Sequence, residues 1–279
     1  MELTSEDGKL TPRVRLGRRL RRLRERKGLS LRQLSERVGG YSHSYLGRVE
    51  LGEQLPSGAL VNTLDEYFDA DGVLVELLEL AQDTLIPDYF RKPFAKEQEA
   101  VRIQVFTSSL VPGLAQTPHY ARALIRRSLP GETDEHVDER VSIRMNRQRI
   151  LEREEPPFYW VIMDESALKR KIGSAKCMKE QMYRLLDLTA RPRVTVQVLP
   201  FDRGAYPMLG GSLTLRTMSD GETIAAIESF DSGELVESPE RVLEQTQRFD
   251  MARSLALTDD ESLDLIRVYL KEYEVEDDS

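Results

Sequence analysis

The chain has 279 residues, 40% of them apolar, enough to fill the cores of about two domains. No uncharged apolar run reaches the roughly 18 residues that a bilayer crossing requires, and the opening MELTSEDGK has no apolar signal core, which argues against a membrane span and a secretory signal. Cys177 is the single cysteine, so no internal disulfide can close and no zinc-ligand spacing exists; the expectation is a cytoplasmic protein without metal or cofactor.

The net charge of −8 conceals an asymmetry. Residues 1–70 carry 13 Lys and Arg against 10 Asp and Glu, net +3, while residues 71–279 are net −11. Arg13, Arg15, Arg18, Arg19, Arg21, Arg22, Arg24, Arg26 and Lys27 form a basic block opposed only by Glu25. This pattern reads as a small polyanion-binding head on an acidic body.

In chain order, Thr11-Pro12 reads as N-cap and first position of a helix whose apolar stripe is Leu16, Leu20 and Leu23, stopped at Gly28. Ser30 with Gln33 forms a capping-box pattern for a short second helix with Leu31, Leu34 and Val38 inward, broken by Gly39-Gly40. Ser42 caps a third, with Leu46 and Val49 inward, His43, Ser44, Tyr45 and Arg48 outward, and Gly52 at its end. Pro56-Ser57 opens a fourth with Leu60, Leu64 and Phe68 as its stripe, and a fifth spans about 73–85. The proline-bearing IPDYFRKP, residues 86–93, marks the passage between domains 1–86 and 87–279. Beyond it, helical patterns are expected at 95–109, 118–128, 134–152, 174–188, 239–256 and 259–273. Strands are expected at 158–163, 194–199, 213–218 and 223–227, with Trp160 in the core and the closing acids Glu272, Glu274, Glu276, Asp277 and Asp278 as a solvated tail. The fold expected is an all-α headpiece followed by a larger α+β domain with a small mixed sheet of about four strands.

Two short helices joined by a glycine turn behind a basic helix match the geometry in which the second helix enters the DNA major groove. The stretch LSLRQLSERVGGYSHSYLGRVELGEQLPS resembles the phage-repressor-like (Xre/Cro-type) helix-turn-helix family over about residues 14–72, with Leu34, Val38, Gly39, Leu46, Val49, Glu50, Gly52 and Pro56-Ser57 at its core, turn and exit-loop positions. The resemblance implies base reading by His43, Ser44 and Arg48 with Tyr45 at the groove wall. It implies backbone contacts from Ser30, Arg32, Ser42, Gln54 and Ser57, and a structural ion pair between Arg24 and Glu50. Gly40 lengthens the turn by one residue, and Leu31 and Glu53 depart from a frequent glutamine and from an often basic loop.

The stretches EAVRIQVFTSSLVPGLAQTPHYARALI, ERVSIRMNRQRIL, FYWVIMDESALKRKIG, MKEQMYRLLDL and RVTVQVLPFDRGAYPMLGGSLTL look like the C-terminal module of WhiJ-like bacterial developmental regulators. That resemblance implies regulation with a small BldB-like companion protein in a toxin-antitoxin-like pairing. Pro112, Gly113, Gln116, Thr117, Tyr120, Arg122 and Tyr206 are the candidate partner or effector surface. Enzyme signals are weak: Asp164-Glu165 ends a strand but also suits a helix start, and His119 and His136 lack any motif spacing. The reading is a sequence-specific transcriptional regulator, a homodimer on double-stranded DNA in the cytoplasm and nucleoid, with no catalysis; the alternative is a DNA-binding antitoxin that neutralises a partner toxin.

Overall fold

A computed structural model describes residues 11–83, 96–229 and 232–278 of the chain. The expected signal-free N-terminus and the IPDYFRKP passage lie outside the described residues. Those described fall into two compact units, drawn from Met1–Pro87 with Thr133–Ser142 and from Asp88–Glu132 with Ile143–Ser279.

In the first unit, α1 (Pro12–Arg26), α2 (Leu31–Val38), α3 (His43–Leu51), α4 (Gly58–Phe68) and α5 (Val73–Asp83) enclose a core of Leu16, Leu20, Leu34, Leu46, Val49, Leu60, Leu64, Phe68, Leu74 and Leu78. Each helix start is chemically specified. The hydroxyls of Thr11, Ser30, Ser42 and Ser57 accept the backbone N–H three residues on, and Gln33 returns the bond to Ser30 to complete a capping box. Gly39 and Gly40 both hold positive φ, 64° and 71°, so the chain reverses between α2 and α3 through a conformation other residues resist. The turn into α5 has a support that periodicity does not reveal. Asp65, 8% exposed, accepts from Gly72 N at 2.6 Å and Leu74 N at 2.8 Å, satisfying amides that would otherwise be orphaned at that helix start.

The second unit is a six-stranded mixed sheet in the order β3-β2-β1-β4-β5-β6. Strands β1 (Arg102–Thr107), β2 (Phe158–Asp164) and β3 (Val194–Leu199) are parallel; β4 (Ser212–Thr217), β5 (Thr223–Glu228) and β6 (Gly233–Val236) continue antiparallel from β1. One face packs Ile103, Tyr159, Val161, Met163 and Val196 with residues of α6 (Pro118–Ser128), α9 (Ala175–Thr189) and α11 (Asp259–Asp277). The other packs Phe106, Ile162, Leu199, Leu213 and Ala225 with Val242, Phe249 and Ala252 of α10 (Pro239–Leu255). Helix α7 (Asp134–Arg147) and the single turn α8 (Ser166–Lys169) complete the element order.

Five expectations are corrected. The helix read at 95–109 is replaced over Arg102–Thr107 by the central strand β1; five of its six residues are buried, the polar Gln104 and Thr107 among them, so a strand covered on both faces shows no clean apolar-polar alternation here. The sheet has six strands because β6 is a four-residue edge strand, GELV, too short to carry a pattern. Trp160 is half-buried at the margin of the core, its Nε1 donating to Gln197 Oε1 at 2.8 Å and the Arg253 guanidinium lying 5.2 Å from its ring centre. The closing acids through Asp277 are helical: Glu276 and Asp277 bond Lys171 and Lys179, and Glu274 accepts from Tyr183 at 2.7 Å. The expected helix at 134–152 is α through Arg147 and 3₁₀ from Gln148 to Glu152.

Candidate nucleic-acid interface

Helix α3 buries Leu46, Val49 and Glu50 and leaves Ser42, His43, Ser44 and Arg48 exposed, with Tyr45 half-buried and stacked on Tyr41 at 5.7 Å. An outward N-terminal turn on a helix anchored by its inward face is the arrangement that reaches base edges.

The anchoring is unusually tight for helices of this length. Arg24 Nε and Nη2 donate to Glu50 Oε1 and Oε2 at 2.6 and 2.7 Å, and Nη1 donates to Leu29 O at 2.7 Å. The side chains are 12% and 5% exposed. The Glu50 hydrogen bond raises the Arg24 pKa against the opposing effect of burial. Next to this pair, Gly17 lets α1 lie directly on the α3 backbone; a Cβ there would stand 2.4 Å from Val49 O and 2.6 Å from Glu50 O. Nothing in the periodicity singles out Gly17, although a glycine inside an otherwise strong helix is the sequence signal of such a close approach.

Backbone-contact candidates surround α3. Ser30, Ser42 and Ser57 cap the exposed starts of α2, α3 and α4, whose free amides and positive dipole ends suit phosphate oxygens. Arg32 is exposed, 3.7 Å from Glu36. Gln54 is half-buried, with Oε1 making no hydrogen bond.

The part of α7 that belongs to this unit also bears on the rim. Glu139 accepts from Leu55 N at 2.6 Å and from Arg13 Nη2 at 2.9 Å, and Arg13 Nη1 lies 3.2 Å from His136 Nε2. Arg48, Arg13, Gln54, Thr133, Glu135 and His136 line a shallow cleft of about 520 Å³. These partners of Arg13 lie more than 120 residues away in sequence, beyond the reach of local pattern reading.

In the second unit the candidate surface residues are mostly interior. Pro112, Gln116, Tyr120 and Tyr206 are buried; Gly113, Thr117 and Arg122 are half-buried. Gln116 Nε2 donates to Val111 O, Gln148 Nε2 to Gly113 O and Gln116 O, and Gln181 Nε2 to Ala115 O, all between 2.7 and 2.9 Å. Glutamines from three elements therefore satisfy the carbonyls of the VPGLAQT turn, and Thr117 caps α6. Tyr120 accepts from Val111 N at 3.2 Å, and burial pushes its hydroxyl up to about 12. Tyr206 donates to Asp164 Oδ2 at 2.8 Å and packs edge-on against Phe106. Pro112, Gln116, Tyr120 and Tyr206 are therefore interior and not surface, with the side chains of Gln116, Tyr120 and Tyr206 hydrogen-bonded inside the domain, while Gly113, Thr117 and Arg122 keep partial exposure.

The weak catalytic candidates are likewise engaged. Asp164 Oδ1 accepts from Ser166 N, Glu165 accepts from Phe201 N and Tyr269 OH, and exposed His119 bonds Glu180. Among the described residues no group of His, Cys, Asp and Glu has the disposition of a metal site, and no helix is long and apolar enough to cross a membrane.

The five-helix unit with its outward α3 defines a helix-turn-helix protein, and a helix-turn-helix domain model matches residues 15–78. A second model, described as a domain of unknown function (DUF5753), matches residues 90–268, more than half of the chain. The chain belongs to the DUF5753 family. Comparison with curated proteins and with solved structures found no match.

Proposed function

We propose that the chain is a sequence-specific DNA-binding transcriptional regulator of the Xre/Cro type that acts by binding and not by turnover. The observation that carries this reading is the exposed N-terminal turn of α3, with His43, Ser44 and Arg48 outward on a helix fixed from behind by Arg24–Glu50. Arg48 reads guanine through paired donors to O6 and N7, and Tyr45 lines the groove wall. The capped starts of α2, α3 and α4, with Arg32 and Gln54, hold phosphates and set the register. The acidic remainder of the chain is repelled by DNA, leaving the headpiece to read it. Two headpieces about 34 Å apart in a homodimer would read half-sites one helical turn apart. The second domain receives the signal, from a small companion protein of the kind found with WhiJ-like regulators or from a small-molecule effector.

The electrostatic part is tested by measuring affinity of the full chain for a genomic duplex pool across salt concentrations. Log affinity should fall linearly with log salt, by about 0.9 for each phosphate neutralised. Absence of DNA retention at low salt would remove the proposal.

A further inference from the structure

The helix-turn-helix domain model ends at residue 78, yet the first unit takes in Thr133–Ser142, a stretch that lies inside the DUF5753 match. Thr133 Oγ1 accepts from His136 N at 3.3 Å and opens α7, whose buried residues are Val137 and Glu139, 0% and 8% exposed. A buried carboxylate costs free energy unless donors meet it.

The donors come from the loop that leaves the recognition helix and from α1. Glu139 Oε1 accepts from the buried Leu55 N at 2.6 Å and from Arg13 Nη2 at 2.9 Å, while Oε2 makes no hydrogen bond. Arg13 Nη2 also donates to Glu53 O, and its Nη1 donates to His136 Nε2 at 3.2 Å, since a guanidinium has no acceptor to offer. Glu53 and Leu55 are thus tied on either side of Gln54, one by its carbonyl and the other by its amide. The loop in turn closes the end of α3. Gly52 holds the left-handed conformation at φ 73°, and Glu53 N and Gln54 N both donate to Arg48 O, at 2.9 and 3.4 Å. A path of hydrogen bonds therefore runs from Glu139 through residues 53–55 to the backbone of Arg48. Arg48, Gln54, Thr133 and His136 line one cleft, so the start of α7 flanks the DNA-reading side of the unit.

We infer that the start of α7 is an added element of the DNA interface and that Glu139 is its positioning residue. Glu139 touches no DNA; by holding Leu55 N and Arg13 it fixes Gln54 and the end of α3 in the register that base reading requires. Contacts to the phosphates set register without carrying sequence, so a slack exit loop is felt on the selected duplex, where register counts, and little on random DNA. The inference rests on the proposed DNA reading and adds that the segment matched as helix-turn-helix is incomplete without Thr133–Ser142.

The experiment compares the full chain with Glu139→Ala, Glu139→Gln and Arg13→Met on a duplex selected by the wild-type chain and on a random duplex, and follows amide exchange of Leu55 without DNA. Glu139→Ala should lower the ratio of specific to random affinity by roughly tenfold, the worth of one base contact, and should speed Leu55 exchange. Glutamine keeps one acceptor oxygen for both donors and loses nothing at Oε2, so Glu139→Gln should hold the ratio within about twofold of wild type. Arg13→Met releases Glu53 O while Leu55 N stays bonded; it should lower the ratio by a smaller factor, which keeps the test open if Glu139→Ala does not fold. Leu78→Ala opens a hole in the same core on α5 and is the control for lost stability, lowering retention of both duplexes by one factor. An unchanged ratio in Glu139→Ala or Arg13→Met, unchanged Leu55 exchange in Glu139→Ala, a ratio as low in Glu139→Gln as in Glu139→Ala, or an equal fall of the ratio in Leu78→Ala would overturn the positioning role while leaving DNA reading in place. A wild-type chain that enriches no sequence would remove the DNA-reading proposal itself, and this one with it.

Discussion

Replacing Glu50 by alanine isolates what locks the recognition helix in place. The substitution removes both acceptors of the bidentate bond and leaves the Arg24 guanidinium with Leu29 O at 2.7 Å and the exposed Glu25 at 3.8 Å. Breaking a buried pair by removing one partner costs about 3–5 kcal/mol. Arg24 keeps 12% of its side chain in contact with solvent, which places the effect at about 3 kcal/mol, the lower end of that range. For a headpiece of this size each kcal/mol moves Tm by roughly 4–8 °C, so the shift is on the order of 12–24 °C. The assay is hydrogen exchange of the α1 and α3 amides in the full chain, with Glu53→Ala as the control. Glu53 is exposed, and its replacement should change stability by no more than about 0.5 kcal/mol. Equal exchange in the two variants would refute the claim that the pair fixes α3.

Gly17→Ala forces a Cβ into the carbonyls of Val49 and Glu50, neither of which can move without displacing α3. Overpacking of this kind costs about 1–3 kcal/mol, and DNA affinity should fall with headpiece stability in thermal and binding assays run together. Gln148→Leu leaves Gln116 O without its side-chain donor and Gly113 O with only the long bond from Gln116 N at 3.5 Å. At about 1–3 kcal/mol for a buried group left unpaired, denaturant unfolding of the second domain should shift by that amount while the headpiece transition stays. Ser30→Ala removes a capping-box acceptor and should lower headpiece stability by about 1 kcal/mol.

The headpiece was legible because its information is local. Thr11-Pro12, Ser30 with Gln33, Ser42 and Ser57 mark helix starts by side-chain chemistry, and Gly39-Gly40 marks the reversal by backbone freedom. The α+β character of the remainder was legible from FYWVIM and VTVQVL, which form β2 and β3. What escaped was non-local. Strand β1 reads as part of a helix until β2 and β4 cover its edges and both faces are packed, and Glu97 is an unremarkable acid until Arg147 and Arg216 meet it from 50 and 119 residues away. The VPGLAQT motif was conspicuous, yet its residues face inward because Gln148 and Gln181, distant in sequence, supply their partners.

The central claim, that α3 reads DNA sequence, is tested most directly by selecting duplexes from a random pool with the full chain and then comparing it with Arg48→Ala on the selected and a random duplex. The account predicts enrichment of a defined site, with Arg48→Ala costing about 1–3 kcal/mol on that site and little on random DNA. No enriched sequence, or an equal loss on both duplexes, would contradict it.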